Sequence, residues 1–314
     1  MVTMDIHKLA MGIDLSRFNT SADGKKRVNF DIIKASADPV VRFVAMRSGI
    51  SWGYTDAWFQ YYFSECARVG LPRAPYHVIY FGESPLAQME NFFRVLGANH
   101  NPIHDRLVLD LEVAASNSRL ACTDTTLKCM QIIKSRTGRN PILYSRAGWV
   151  NEHLYASWFP ADTDWWLAQY RFRLPWPLYT PEYNPPPTLP KGVGRWLVHQ
   201  TAEYQRSIGA PGRYYMDWNR WNGGAESVLN YFGYEGEIEP EPEPEPDEVL
   251  FSVKFKATAL YLRETPVNGA IVGAITKDDP FDNIHDVYEV DSASGWYRMA
   301  GGWCSGSTYY WERM

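Results

Sequence analysis

Between Glu239 and Pro246 glutamate and proline alternate without exception. No regular element accommodates that pattern, because proline removes every second backbone donor and so bars both a helix interior and a central strand. The stretch reads as a spacer. Proline stiffens it toward polyproline II, at about 3.1 Å per residue, and repulsion among the glutamates extends it further. It divides the 314 residues into a long module, 1–234, a linker, 235–248, and a short module, 249–314.

The spacer also distorts the charge balance. Eight acids and no Lys or Arg fall within 235–248, so the formal charge of −5 becomes +3 once that stretch is set aside. Two nearly neutral modules without a clustered Lys/Arg run lack the electrostatic footprint of a nucleic-acid binder. No stretch is apolar for long enough to span a bilayer, which argues against membrane insertion. Residues 1–10 lack the apolar core of a signal peptide. The expectation is a chain made in a reducing cytoplasm. Cys66, Cys122, Cys129 and Cys304 show no zinc or redox spacing and read as free thiols. No cofactor is expected. The aromatic share, 15%, is high, and it suits sugar handling, since a flat ring stacks on a sugar face while its polar atom reaches a hydroxyl.

Upstream of the spacer, short β-type runs alternate with segments of helical period, the pattern of an α/β fold built on a parallel sheet. The predicted strands are Met11–Ser16, Val40–Arg47, Pro75–Phe81, Arg106–Val113, Pro141–Ser145, Trp165–Tyr170, Arg195–Thr201 and Tyr214–Asn219. Five predicted helices separate the first six: Asn29–Ala37, Asp56–Gly70, Pro85–Gly97, Thr123–Thr137 and Gly148–Trp158. The next connection carries Pro175, Pro177, Pro181, Pro185, Pro186, Pro187 and Pro190 and cannot be a helix. Eight strands with about five helices imply an irregular β/α barrel whose last strands pair through loops. Downstream, six short β-type runs, Phe251–Ala257, Leu260–Arg263, Ala270–Ile275, Val287–Val290, Trp296–Met299 and Thr308–Glu312, imply a small all-β barrel.

The chemistry-bearing residues are acids. In the run from Arg106 to Val113, strand alternation puts Asp110 and Glu112 on one face and Leu109, Leu111 and Val113 on the other. Carboxylates at the C-terminal end of a buried barrel strand are costly to desolvate, and that end is where β/α barrels build active sites. Burial beside a like charge raises the pKa of one of them, as a general acid requires. Asp14 and Asp217 each follow a short apolar run at similar places on their strands, and the first and eighth strands of a closed barrel are neighbours. Four acids could therefore share one pocket. An ordinary structural ion pair or an oxygen-rich Mg²⁺ or Ca²⁺ site are the competing readings, and the latter has no matching spacing here.

Gly12-Ile-Asp14-Leu-Ser-Arg-Phe-Asn19, Ala74-Pro-Tyr-His77, Asp110-Leu-Glu112, Ile142-Leu-Tyr144, Trp166-Leu-Ala168 and Met216-Asp-Trp-Asn219 with Asn222-Gly223 together resemble the lysozymes of glycoside hydrolase family 25. The resemblance covers about Met11 to Gly223. It implies an irregular eight-stranded barrel that cleaves, with net retention, the β-1,4 bond between N-acetylmuramic acid and N-acetylglucosamine in bacterial peptidoglycan. It implies further that Glu112 protonates the leaving oxygen and that Asp110 supports attack by the substrate's own 2-acetamido group. Asp14 and Asp217 would position the sugar and shape the field around the developing cation. Tyr76, Tyr144, Trp166 and Gln200 would contact substrate. His199 stands where the family more often has an aromatic residue, and its use as a base is a further alternative.

In the short module, Ala259-Leu-Tyr-Leu-Arg263-Glu-Thr-Pro266, Gly273, Gly295-Trp-Tyr-Arg-Met299 and Gly302-Trp303 are similar to bacterial SH3-type domains, which implies wall binding, with Trp296, Trp303 and Tyr309 as candidate contacts. The whole reads as a phage endolysin with muramidase activity. A hydrolase of chitin-like polymers, or a wall-binding phage protein without catalysis, are the alternatives.

Overall fold

The computed structural model describes residues 9–21, 23–37, 39–113, 117–170, 185–210, 215–234, 250–276, 284–299 and 302–313. The chain divides into two compact units, Met1–Ile238 and Glu239–Met314. The Glu-Pro spacer lies outside the described residues.

In the first unit the strands are β1 (Met11–Leu15), β2 (Val41–Ile50), β3 (Tyr54–Thr55), β4 (Arg73–Val78), β5 (Val108–Asp110), β6 (Ile142–Ser145), β7 (Trp165–Ala168), β8 (Val198–Arg206) and β9 (Tyr215–Trp221). Their order is β1-β9-β8-β7-β6-β5-β4-β2, and pairing of β1 with β2 closes the ring into an eight-stranded barrel. The two-residue β3 folds back onto the end of β2 as a hairpin. The helices are α1 (Phe30–Lys34), α2 (Phe59–Arg68), α3 (Pro85–Leu96), α4 (Arg119–Thr137), α5 (Ala147–His153) and α6 (Ala225–Tyr231). The first five answer the five expected from sequence, while α6 follows the last strand and was not anticipated.

The barrel is not wholly parallel. β9 runs antiparallel to both neighbours, β8 and β1, because a hairpin replaces the helical crossover that a parallel strand needs. Asp217 therefore does not occupy a place equivalent to that of Asp14. It is the third residue of β9, whereas Asp14 is the next-to-last of β1. The reversal of direction is what brings both to the same end. Residues 185–197 hold no helix, and the prolines from 175 to 181 lie outside the described residues, as does Tyr214.

Capping explains the helix boundaries. α4 starts at Arg119, not Thr123, because the Ser118 hydroxyl accepts from Ala121 N, while Thr123 bonds back to Arg119 O within the helix. It stops at Gly138, which takes the left-handed conformation with φ of 77°. Asp56 stays outside α2 because its carboxylate is held by Arg47 and by the backbone N–H groups of Arg17 and Trp58.

Period-two alternation separates two cores. Ile13, Leu109, Leu143, Leu167 and Trp218 point outward onto the helices, beside Phe59, Phe63 and Phe92. Phe43, Val108, Ile142, Tyr144, Trp166 and Trp221 point inward and fill the barrel with Phe232. The filling is tight at Gly12, where an added Cβ would lie 2.4 Å from the Phe43 ring. Apolar layers close the barrel interior below the site.

The second unit is all β, as expected, but with eight strands in place of six. A three-stranded sheet joins β10 (Phe251–Phe255), β13 (Ile284–Val287) and β17 (Trp311–Arg313). A five-stranded sheet runs β12 (Ile271–Thr276), β11 (Ala259–Arg263), β16 (Gly302–Ser305), β15 (Trp296–Met299) and β14 (Glu289–Asp291). The run Val287–Val290, read as one strand, is divided at Tyr288, whose N–H bonds to Arg298 O and carries the chain from one sheet to the other. Val253, Phe255, Leu262, Ile275, Val287, Met299, Cys304 and Trp311 form its core. Trp296 and Trp303 are half-buried, and Tyr309 is 76% exposed. All four cysteines are buried free thiols. No described helix is long and apolar enough to cross a membrane.

Candidate active site

The C-terminal ends of the parallel strands surround one cavity, lined by the four acids expected from sequence, Asp14, Asp110, Glu112 and Asp217, and by the four expected substrate contacts, Tyr76, Tyr144, Trp166 and Gln200. Alternation delivers them. Asp110 follows Val108 on the inward face of β5, Tyr144 follows Ile142 on β6, and Asp217 and Asn219 flank the outward Trp218 on β9. Glu112 lies two residues beyond the end of β5 and still faces the cavity.

The carboxylates differ in setting. Asp14 is buried, and its Oδ2 accepts from Gln200 Nε2 and from Asn219 Nδ2, both at 2.8 Å. Each amide is fixed in turn from behind. Gln200 Oε1 accepts from the Tyr144 hydroxyl at 2.7 Å and the Tyr170 hydroxyl at 2.5 Å, and Asn219 Oδ1 accepts from Trp166 Nε1 at 2.8 Å. These bonds leave each amide one orientation, with its NH₂ toward Asp14. Burial raises the Asp14 pKa, and the two amide donors counter that rise.

Asp110 is 4% exposed, and among the described residues nothing hydrogen-bonds its Oδ1. Burial lifts its carboxyl well above the usual range, and the negative charges of Glu112 and Asp14 lift it further. Glu112 is more open. Its pKa is also raised, again chiefly by burial, while the guanidinium of Arg146, 3.7 Å away, opposes the rise. Burial and the crowding of acids thus both favour the protonated forms at this strand end.

Gln200, Tyr144 and Trp166 prove to be buried supports of Asp14 as well as lining groups, whereas Tyr76 is half-buried at the cavity wall. His199 is fully buried. Its Nε2 meets Gln169 O, its Nδ1 accepts from Arg220 Nε, and it does not line the cavity, which removes it as a base. Sequence reading missed Tyr170, Arg146, Glu203 and the amide role of Asn219. Two of these were within reach of the period-two count, because Arg146 continues the inward series 142, 144 and Tyr170 continues 166, 168. Glu203 was not, since a bulge between Gln200 and Ala202 breaks the alternation of β8. Among the described residues, no group of His, Cys, Asp or Glu is arranged to hold a metal ion.

The model of glycosyl hydrolases family 25 matches residues 13–185, which run from within β1 through β7 and include six of the eight lining residues named above: Asp14, Tyr76, Asp110, Glu112, Tyr144 and Trp166.

The chain belongs to glycosyl hydrolase family 25.

It is therefore a glycoside hydrolase, and the family 25 barrel is the unit that carries the cavity. Solved structures with the same fold include a bacterial lysozyme from Streptomyces coelicolor, 21% identical, covering 72% of this chain and 97% of that one with a TM-score of 0.58. A muramidase from Trichobolus zukalii is 20% identical, with coverage of 72% and 99% and a TM-score of 0.57. The spore cortex lytic enzyme of Clostridium perfringens is 17% identical and covers 98% of this chain and 97% of its own, with a TM-score of 0.54. No curated protein sequence matches the chain significantly.

Proposed function

We propose that this family 25 enzyme is an N-acetylmuramidase that cleaves the β-1,4 bond between N-acetylmuramic acid and N-acetylglucosamine in bacterial peptidoglycan, with net retention. The observation that carries the reading is the meeting of four carboxyls in one cavity, one of them, Asp110, with a buried oxygen that lacks a partner among the described residues. A buried acceptor left unpaired costs about 1–3 kcal/mol. An incoming N–H donor recovers that cost, and the 2-acetamido group of a bound amino sugar offers one.

In this mechanism Glu112, protonated, gives its proton to the glycosidic oxygen as the C1–O bond breaks. The acetamido carbonyl oxygen forms a bond to C1 while its N–H donates to Asp110. Glu112, now a carboxylate, then takes a proton from water as that water opens the cyclic intermediate, so the acid is restored and the configuration retained. The more open position of Glu112 suits contact with a leaving sugar, and the enclosed position of Asp110 suits a ring substituent. Asp14 and Asp217 supply negative potential beside the developing oxocarbenium charge.

The second unit serves as a wall-binding module similar to bacterial SH3-type domains, and the whole acts as a phage endolysin, made in the host cytoplasm and acting on the wall after release. Tethering a weak binder to the barrel would raise the enzyme's effective concentration on its polymer. Glu112→Gln is expected to abolish clearing of susceptible cells while wall pull-down persists. Mass spectrometry of digested peptidoglycan should show new reducing ends on N-acetylmuramic acid. Reducing ends on N-acetylglucosamine, or full activity of the variant, would overturn the assignment.

A further inference from the structure

Among the described residues the Glu112 carboxylate has one cationic neighbour, and that neighbour belongs to the cavity mouth. Arg146 follows the last residue of β6, its side chain is 61% exposed, and its guanidinium lies 3.7 Å from Glu112, itself 37% exposed at the side chain. Every other ionisable group that lines the cavity among the described residues is acidic or phenolic: Asp110 on β5, Asp14 on β1, Glu203 on β8, Asp217 on β9, and the hydroxyls of Tyr76, Tyr144 and Tyr170. A positive group beside a proton donor works against donation, because it stabilises the carboxylate. At the same time an exposed guanidinium with a single long ion pair keeps most of its five donors available for a second, planar anion.

We infer that Arg146 is a specificity-determining residue that recognises a carboxylate on the glycan and, in turning to it, releases Glu112 to act as the acid. The inference rests on the muramidase reading above. Peptidoglycan carries such carboxylates, either on the peptide stem or, where the peptide is absent, on the lactyl ether, whereas chitin-like polymers carry none. A neutral glycan would leave the Arg146–Glu112 pair intact, so the same contact both selects the charged polymer and couples its binding to proton uptake.

The sign follows from the charges. Burial raises the Glu112 pKa and Arg146 opposes that rise. Removing the arginine, or drawing it onto a substrate anion, moves the pKa further up and keeps the acid protonated to higher pH. In the wild-type enzyme the alkaline limb of kcat should therefore lie above that of kcat/KM on carboxylate-bearing substrate.

The test compares wild type, Arg146→Gln and Arg146→Lys on intact walls, on amidase-trimmed glycan strands and on chitooligosaccharides. Arg146→Gln should lower kcat/KM on the two charged substrates by about tenfold or more and on the neutral one by several-fold less, as expected for loss of a charge-assisted contact. Its kcat/KM limb should rise toward its kcat limb, and lysine should restore part of the preference. A larger loss on walls than on trimmed strands points to the stem carboxylate, and the reverse to the lactyl group. Equal losses on all three substrates, or a charged-to-neutral ratio within about twofold of wild type, would overturn the inference. Reducing-end analysis of the wild-type products separately tests the muramidase reading, while the charged-to-neutral ratio is read whichever sugar carries the new end.

Discussion

Asp14 on β1 and Asp217 on β9 are register partners across an antiparallel pair, and their carboxyls share a hydrogen bond. Both line the cavity, and the Gln200 and Asn219 amides hold Asp14 in place, so its carboxyl need not reorganise as positive charge develops beside it.

Asp14→Asn replaces the carboxylate on which both amides converge by a neutral amide. With protein stability little changed by the isosteric swap, kcat on soluble muropeptide oligomers should fall about 100-fold. Steady-state kinetics on a defined oligosaccharide will check this, and a change confined to KM would mean that Asp14 only binds.

Gln200→Ala leaves the Tyr144 and Tyr170 hydroxyls and Asp14 Oδ2 each short of a partner in a buried space. Unsatisfied groups and a small cavity together should cost about 3 kcal/mol. Urea unfolding followed by tryptophan fluorescence will report it as a lower midpoint. A loss near zero would mean that water replaces the amide without penalty.

Asp110→Asn should stabilise the enzyme and inactivate it. Burial raises the folded-state pKa of Asp110 above its unfolded value. The folded protein therefore binds more protons than the unfolded chain between the two pKa values, and stability falls as pH rises through that window. The asparagine escapes this loss. Its Tm should exceed that of the wild type at pH 7 and converge with it near pH 4, around the ordinary aspartate range. Calorimetry at the two pH values decides the matter, and a lower Tm at pH 7 would show that the carboxylate is instead stabilised in the fold.

A chain ending at Glu237 keeps the barrel and its core and lacks the second unit. It should cleave soluble fragments with a kcat/KM within about twofold of the full chain and sediment with purified walls at least tenfold less, because tethering changes effective concentration and not the chemistry. Equal sedimentation would remove the targeting role of the second unit.

What could be read before folding was whatever follows from local rules. Alternation placed Asp110 and Glu112 on one face, and apolar runs located all eight barrel strands within a few residues. Strand ends were less legible. β5 stops at Asp110, three residues short of the expected Val113, because the backbone leaves the sheet where the cavity opens. α6 was overlooked because it is only seven residues long and carries Tyr231 and Phe232 into the barrel floor, so its apolar face is defined by a partner distant in sequence.

The sequence by itself determined that an acidic Glu-Pro run, 239–246, interrupts the chain, that the stretch before it alternates strand and helix, and that four aspartates and glutamates end apolar strands. Only the tertiary structure decided that β9 runs against its neighbours and so sets Asp217 opposite Asp14. It also decided that Gln200 and Asn219 hold that pair, and that Arg146 stands at 3.7 Å from Glu112. The physical reason is range: periodicity and capping act over a few residues, whereas a hydrogen bond between Asp14 and Asn219 joins positions 205 residues apart and exists only once the barrel has closed.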